Sequence, residues 1–206
     1  MKKVISVSLI CLLMTGLLSA CGNSLTADRD TVYVQKKGKV ICAAISEFDK
    51  EYYDAEELRK YIEERVQAYQ EEHGKKSVGI EEFTVEDKVA KLYMKYEDCE
   101  SYQDFNEVTL FSGTVPQALA AGFNFNTEFT EIKDGKAAGS IENTTVMDSD
   151  CKVVILSEKI DVKVDGTVQY ISSDYTTIKS KDTVAIEVPQ EAKDGSEMTL
   201  VYIVYK

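Results

Sequence analysis

One apolar stripe at helical spacing, in a chain otherwise patterned for strands, constrains the fold of this sequence most strongly. Its members recur at intervals of three and four residues, the period of an amphipathic α-helix: Leu58, Ile62, Val66 and Tyr69. Asp54 precedes the stripe as a capping residue with Glu57 three positions later, and Gly74 follows it as a stop signal. The sequence therefore predicts one long helix between Asp54 and Gly74.

Two further helical segments are expected to be short. Residues 101–104 have the order of a cap followed by a single helical turn. Thr114 and Gln117 have the spacing of a capping box, and Gly122 closes the short helix that this box begins. The segments around them alternate between apolar and polar residues, which is the pattern of half-buried strands.

The half of the chain after residue 123 is patterned for strands. Three Asp-Gly steps separate its β-type runs, and Asp-Gly favours the type I′ turn of a hairpin because both turn residues need positive φ. We expect residues 160–164 and 167–171 to pair in this way. The run 198–205 is apolar on both faces, which predicts a central strand. Together these patterns predict an α+β fold, with one long helix and two short helical segments on a mixed, mainly antiparallel sheet, and a β-rich C-terminal half.

The first 21 residues have the order of a secretory signal. Lys2 and Lys3 precede an uncharged apolar run of 15 residues, which is shorter than the ~20 needed to cross a bilayer. The small residues and cysteine of Leu18-Ser19-Ala20-Cys21 end it, and this motif resembles the lipobox of bacterial lipoproteins. The resemblance implies that Cys21 receives a diacylglyceryl group and becomes the new N-terminus. The protein would then be anchored to the outer face of the bacterial cell membrane.

The lipoprotein resemblance divides the chain into a signal peptide at 1–20, a lipid-anchored flexible tether at 21–30, and a body at 31–206. Near 123–127 the pattern of the body changes from mixed helix and strand to strand alone, without a Pro- or Ser-rich linker. One continuous body and two subdomains therefore both remain open. Residues 102–123, with Gly113-Thr114 and Gly122, are similar to the bodies of uncharacterised Gram-positive cell-surface lipoproteins. That similarity carries over no functional residues.

The charge of the chain restricts its partners. The net charge is −12 at pH 7, and removal of residues 1–20 takes away two lysines and no acid, which makes the body more negative still. Such a body is a poor partner for nucleic acid and is repelled by anionic lipid headgroups, so membrane attachment would depend on the anchor. Solubility is the simplest role for this acidity.

Three cysteines remain after the signal peptide and Cys21 are set aside. Cys42 lies in an apolar strand pattern, where a free thiol acts as a small hydrophobe. Cys99 and Cys151 lie in acidic surroundings and are the pair expected to join if a disulfide forms. No two of the three have metal-finger spacing, and Asp148-Ser149-Asp150 lacks the rest of a calcium loop. No metal or cofactor is therefore expected.

The sequence carries no catalytic motif. Its only histidine, His73, lies at the end of the predicted long helix, where it complements the helix dipole. A nucleophile elbow, a phosphate-binding glycine loop and a paired-histidine zinc motif are all absent from the sequence. A carboxylate-based hydrolase stays open as an alternative, because the pairing of acids is spatial.

Aromatic residues are the remaining candidates for a binding surface. Tyr52 and Tyr53 precede the long helix, and Phe123 and Phe125 follow a short one. Adjacent aromatic rings cannot all point inward from one strand, so we expect some to be exposed to a partner, core packing being the alternative role. The sequence thus predicts a non-enzymatic, lipid-anchored module that binds an envelope protein or polymer. A small-ligand or metal-binding accessory lipoprotein for a transporter is the other alternative.

Overall fold

The computed structural model describes residues 25–187 and 199–206. The predicted signal peptide, Cys21 and the Asp194-Gly195 step lie outside the described residues. Within them the chain forms helices and two β-sheets, which confirms the predicted α+β class.

Strands make up most of the regular structure. In chain order they are β1 (Thr31–Val34), β2 (Val40–Glu47), β3 (Val78–Glu86), β4 (Val89–Tyr96), β5 (Leu110–Thr114), β6 (Phe129–Lys133), β7 (Lys136–Ile141), β8 (Lys152–Leu156), β9 (Asp161–Val164), β10 (Val168–Ser172), β11 (Thr176–Ser180), β12 (Thr183–Ile186) and β13 (Val201–Tyr205). The α-helices of the described residues are α1 (Ala55–His73), α2 (Cys99–Asn106), α3 (Val115–Ala120) and α4 (Asn143–Met147).

The strands form two sheets where the sequence suggested one. The seven-stranded sheet has the order β11-β12-β9-β1-β2-β4-β3 and is antiparallel except for the β1–β9 pair. The six-stranded sheet has the order β5-β8-β13-β10-β6-β7 and is antiparallel throughout. Because β5 lies before residue 123 and its partner β8 lies after it, this sheet draws strands from both sides of the change in sequence texture.

The largest hydrophobic cluster lies between the inner faces of the two sheets. Val32 and Val162 reach it from the seven-stranded sheet, and Val154 and Ile203 reach it from the six-stranded sheet. α1 adds Val66 to the same cluster and packs beside β3. A second cluster lies on the other face of the six-stranded sheet, under α3 and α4. The layers are therefore two short helices, the six-stranded sheet, a shared core, and the seven-stranded sheet together with α1.

The local helix signals behave as predicted at two places. Asp54 caps α1 by accepting hydrogen bonds from the N–H groups of Glu56 and Glu57, and Gly74 follows the last helical residue with φ of 92°. The Thr114–Gln117 capping box is formed in both directions at the start of α3. In each case the sequence signal depends only on neighbouring residues.

Two helices differ from the sequence expectation. α2 is longer than the single turn expected at 101–104, because Asp98 rather than Ser101 caps it by accepting from the Ser101 N–H. α4 was not anticipated, since five residues are too few to show a helical period and its capping position, Glu142, makes no side-chain cap.

One Asp-Gly step forms the expected hairpin and another does not. Asp134 and Gly135 have φ of 51° and 71°, as a type I′ turn requires, and they join β6 to β7. The expected hairpin of 160–164 with 167–171 is wrong, because β9 pairs with β1 and β12 while β10 pairs with β13 and β6. The Asp165-Gly166 step instead carries the chain from one sheet to the other.

Residues 25–30, expected to belong to a flexible tether, are docked on the body. Leu25 is only 8% exposed and packs in a small cluster with Tyr33 and Ala43. Arg29 forms ion pairs with Asp161 and Glu187, and the Asp30 carboxylate accepts a hydrogen bond from the Ile45 N–H at 2.7 Å. The segment lacks a periodic pattern, so its attachment by one leucine and a few charges is invisible to sequence periodicity.

Gly166→Ala tests the packing at the crossover between the sheets. An added Cβ at Gly166 would overlap the carbonyl oxygen of Lys206, so we expect the free energy of unfolding to fall by about 1–3 kcal/mol. Gly122→Ala is the control, because Gly122 has positive φ but open space around its Cβ position, and should cost about 1 kcal/mol. Urea denaturation measures both, and an undiminished stability of Gly166→Ala would contradict the crossover geometry.

Candidate binding surface

The segment between β2 and α1 exposes a cluster of aromatic rings. Tyr52 is 80% exposed and Tyr53 is 42% exposed. The two rings meet edge to face with centroids 5.0 Å apart, and the Tyr53 ring also contacts Phe48 at 4.9 Å. We call residues 48–54 the aromatic loop. The expectation that some of these aromatic residues are exposed is met by Tyr52 and Tyr53.

Backbone hydrogen bonds fix the aromatic loop at both ends. The Phe48 N–H donates to the carbonyl of Lys88 in the β3–β4 turn at 2.7 Å, and the Tyr53 N–H donates to the carbonyl of Lys50 at 3.1 Å. Asp54 then begins α1 as its capping residue. The rings are therefore presented from an ordered turn between a strand and a helix.

The second predicted aromatic pair does not contribute to this surface. Phe125 is 1% exposed and contacts the rings of Phe129 and Tyr202 in the second hydrophobic cluster. Phe123 is partly buried against Phe111, with centroids 5.0 Å apart. The expectation that Phe125 binds a partner is therefore corrected: it is a core residue, and Phe123 packs at the margin of the same core.

A groove that the sequence did not predict begins at the β3–β4 turn. It has a volume of about 710 Å³ and lies on the outer face of β2, β4 and β3. Its apolar lining is made by Leu25, Ile41, Val89 and Tyr93. Its polar lining is mostly acidic: Thr26, Glu81, Glu82, Thr84, Glu86, Asp87 and Lys91. We call this the acidic groove. Alternation along β3 was the available signal, since Glu82, Thr84 and Glu86 alternate with the more apolar Phe83 and Val85.

The acidic groove and the aromatic loop are neighbours. Lys88, whose carbonyl binds the Phe48 N–H, directly follows Asp87, which lines the groove. Glu47, the last residue of β2, pairs with Val89 of the groove. The backbone of the aromatic loop therefore adjoins the end of the acidic groove at the β3–β4 turn.

A separate polar network lies in the interior between the sheets. The Tyr102 hydroxyl donates to the half-buried Glu158 carboxylate at 3.1 Å, and the Asn106 side chain donates to the Tyr96 hydroxyl at 3.2 Å. Burial raises the pKa of Glu158, and burial also raises the pKa of Cys42 to about 12. The Cys42 thiol is consequently protonated at neutral pH and is a poor nucleophile.

Cys99 and Cys151, the pair expected to join if a disulfide forms, are not joined. Cys99 and Cys151 are both free thiols, and they belong to different hydrophobic clusters. Cys151 is buried beneath the helical layer, although its sequence neighbours are acidic, because it lies immediately before β8. Burial, together with the charge of Asp98, raises the pKa of Cys99 to about 12.

The most buried carboxylate belongs to an ion-pair network. Asp161 lies 2.6 Å from the Lys179 ammonium and 3.5 Å from the Arg29 guanidinium. Arg29 and Lys159 both pair with Glu187, at 2.8 Å and 3.0 Å. These contacts join the segment before β1, through Arg29, to β9, β11 and the end of β12. Two neighbouring cations balance the buried charge, so the network has a direct structural role.

Comparison with protein-family models, curated proteins and solved structures finds no match to this chain. Within residues 25–187 and 199–206, no helix is both long and apolar enough to cross a membrane. In that same part of the chain, no group of three or more His, Cys, Asp or Glu side chains is arranged to hold a metal ion.

Glu158→Gln tests the interior network through the pH dependence of stability. Burial raises the folded-state pKa of Glu158 above its ordinary value of 4.5. The folded state thus keeps a proton that the unfolded state releases as the pH rises above 4.5, and wild-type stability falls across that window. Gln keeps an oxygen for the Tyr102 hydroxyl and cannot ionise. We expect Glu158→Gln to match the wild type near pH 4 and to be more stable than it near pH 7.

Glu187→Gln is the matched control of opposite sign. Its hydrogen bond to Arg29, followed by that to Lys159, lowers the pKa of Glu187. The stabilisation is therefore present above the unfolded-state pKa and is lost as the pH falls through the folded-state pKa. The Gln variant should lose stability at pH 7 relative to the wild type. Urea titrations across the pH range measure both variants, and the same sign for both would contradict the assigned environments.

Proposed function

We propose that this protein is a lipid-anchored, extracytoplasmic binding module of the bacterial cell envelope, and that the aromatic loop is its recognition surface. The observation that carries the proposal is the exposure of Tyr52, 80% accessible to solvent, in contact with the half-exposed Tyr53. Tyrosine supplies a large apolar surface with a polar tip, and it is enriched among the residues that dominate binding energy at protein interfaces.

The order of the aromatic loop supports the proposal further. Phe48 supports the ring of Tyr53, and hydrogen bonds from Phe48 and Tyr53 hold the backbone. A surface already held in one conformation loses little conformational entropy on binding, so more of the contact energy appears as affinity. Tyr52 itself is restrained by its contact with Tyr53.

The anchor rests on the lipobox resemblance at Leu18-Ser19-Ala20-Cys21. Each buried methylene of an acyl chain contributes about 0.8 kcal/mol, and stable attachment takes two chains. A diacylglyceryl group on Cys21 would supply both. The acidic body then needs no attraction of its own to the lipid surface in order to stay at the membrane.

Cys21→Ser tests the anchor. We expect the variant to move from the membrane pellet to the soluble fraction, or to remain unprocessed, because Ser cannot form the thioether that holds the lipid. The measurement is fractionation of cells that express the full chain, with urea denaturation as a check that the body still folds. Membrane retention of a cleaved Cys21→Ser form would contradict lipid anchoring.

Cross-linking from position 52 tests the recognition surface. With a photo-reactive phenylalanine analogue in place of Tyr52, we expect intact cells to yield adducts with an envelope protein or polymer. Tyr61, which is 58% exposed on α1, is the matched control position and should yield none.

Truncation separates binding from folding in the same experiment. Tyr53→Ala should weaken the cross-link from position 52 with little change in the free energy of unfolding, because Tyr53 is outside the core. Phe125→Ala, by contrast, should lower that free energy by about 3–5 kcal/mol, as loss of a buried ring does. Equal cross-linking from positions 52 and 61, or a large loss of stability in Tyr53→Ala, would contradict the proposal.

A further inference from the structure

The outer face of β2, β4 and β3 is an uncovered sheet surface. The opposite face of these strands carries Cys42, Met94 and other members of the main hydrophobic cluster. On the outer face, Leu25 and Ala27 are the packed neighbours of Tyr33, Ala43, Ile41 and Tyr93. The acidic groove lies on this surface and leaves Val89 and Tyr93 partly accessible.

The charge in the groove is largely unbalanced. Glu82, Glu86 and Asp87 form no ion pair within the described residues, while Glu81 is paired with Lys95 at 3.2 Å. Lys91 is the cation among the lining residues. The net charge of −12 adds a long-range field of the same sign, so the local surface and the whole molecule both attract a cationic partner.

The opposite end of the same sheet is basic, so a cationic partner is not expected to bind there. A second groove of about 650 Å³ lies there, and lysines line it: Lys39, Lys75, Lys76 and Lys95. The two grooves share Ile41 and Glu81. A cationic segment is therefore favoured at the end that carries the β3–β4 turn and the aromatic loop, and it is repelled at the other end.

The spacing of the carboxylates indicates the shape of the occupant. Glu82 and Glu86 pair with Tyr93 and Val89 across β4 and point to the same face of β3. Strand residues four positions apart are separated by about 13 Å, and alternate residues by about 7 Å. Calcium needs its oxygen ligands within about 2.6 Å of one centre, so carboxylates at this spacing do not share one ion. An extended polypeptide places alternate side chains at the same 7 Å repeat.

The floor of the groove suits long cationic side chains. Ile41, Val89 and Leu25 offer apolar surface against which the aliphatic stems of lysine or arginine can pack while the charged end meets a carboxylate. Tyr93 adds a ring face for a cation–π contact. Past Asp87, the Lys88 carbonyl accepts the hydrogen bond from Phe48 that joins the β3–β4 turn to the aromatic loop.

We propose that the acidic groove binds an extended segment of a partner protein that carries lysine or arginine at alternate positions. This inference rests on the proposed binding function and names the chemistry of the partner. Glu82 and Glu86, about 13 Å apart, bind cationic side chains four positions apart in the segment, and the side chain between these two faces Thr84. Asp87 binds where the segment passes the β3–β4 turn. The segment then leaves the groove at the β3–β4 turn, to which the aromatic loop is hydrogen-bonded.

The test uses the soluble body with Cys21→Ser and two synthetic peptides of equal composition. One alternates lysine with threonine, and the other has the same lysines in one block. Isothermal titration should show tighter binding of the alternating peptide, and the affinity should fall as salt is raised. The double variant Glu82→Gln/Glu86→Gln should weaken that binding by about tenfold or more.

A matched control removes the same charge elsewhere. Glu63 on α1 and Glu107 after α2 are exposed carboxylates outside the groove, so Glu63→Gln/Glu107→Gln should leave the affinity almost unchanged. An equal loss of affinity in both double variants would mean that the peptide responds only to net charge. Equal affinity for the two peptides would mean that the spacing of the lysines does not matter. Either result overturns the proposal. So would groove-dependent binding of calcium chloride or spermidine without binding of the alternating peptide.

This test is separate from that of the aromatic loop. The peptide measurement uses purified protein without a lipid anchor, whereas the cross-linking from position 52 uses cells. Cross-linking with no peptide binding would leave the loop as a recognition surface with a partner of other chemistry. Peptide binding without cross-linking would locate recognition in the acidic groove alone.

Discussion

The rest of the structure depends on the apolar contact between the inner faces of the two sheets. Residues from both sheets, together with α1 and α2, meet in one cluster, and burial of apolar surface is the dominant favourable term in folding. This contact takes one face of each sheet. The outer face of the six-stranded sheet is covered by α3 and α4. The groove therefore forms on the outer face of the seven-stranded sheet, at β2, β4 and β3. The acidic groove thus lies on the sheet whose outer face α3 and α4 do not cover.

Features set by neighbouring residues could be predicted from the sequence. The Asp54 cap, the Thr114–Gln117 capping box and the Asp134-Gly135 turn each depend on a few adjacent residues. The choice of strand partner depends on residues far apart in the chain. Asp165-Gly166 has the same local signal as Asp134-Gly135, yet β9 pairs in parallel with β1, 130 positions earlier (Thr31 opposite Asp161). A local hairpin signal carries no information on distant strands that can pair with β9 in place of β10.

The two aromatic pairs show the same limit at the level of the site. Tyr52 and Tyr53 are consecutive and cannot both enter the core from one strand, and both are exposed with their rings in contact. Phe123 and Phe125 are separated by one residue, which in extended backbone places both side chains on the same side. Both can therefore turn inward, as they do against Phe111 and Phe129. The groove escaped prediction for another reason, since its walls come from separate strands and from the docked Leu25.

The docking of Leu25 has a consequence for how the proposed anchor would orient the molecule. Four residue steps separate Cys21 from Leu25, and an extended chain spans at most about 3.6 Å per residue. The linker between the lipid and the body would therefore be about 14 Å long or less, and it would join the body at the groove that Leu25 and Thr26 line. A link this short would restrict the tumbling of the body and would keep one side of it towards the bilayer. Partners would then be met by lateral diffusion in the plane of the membrane, which favours proteins whose cationic segments lie close to the lipid surface.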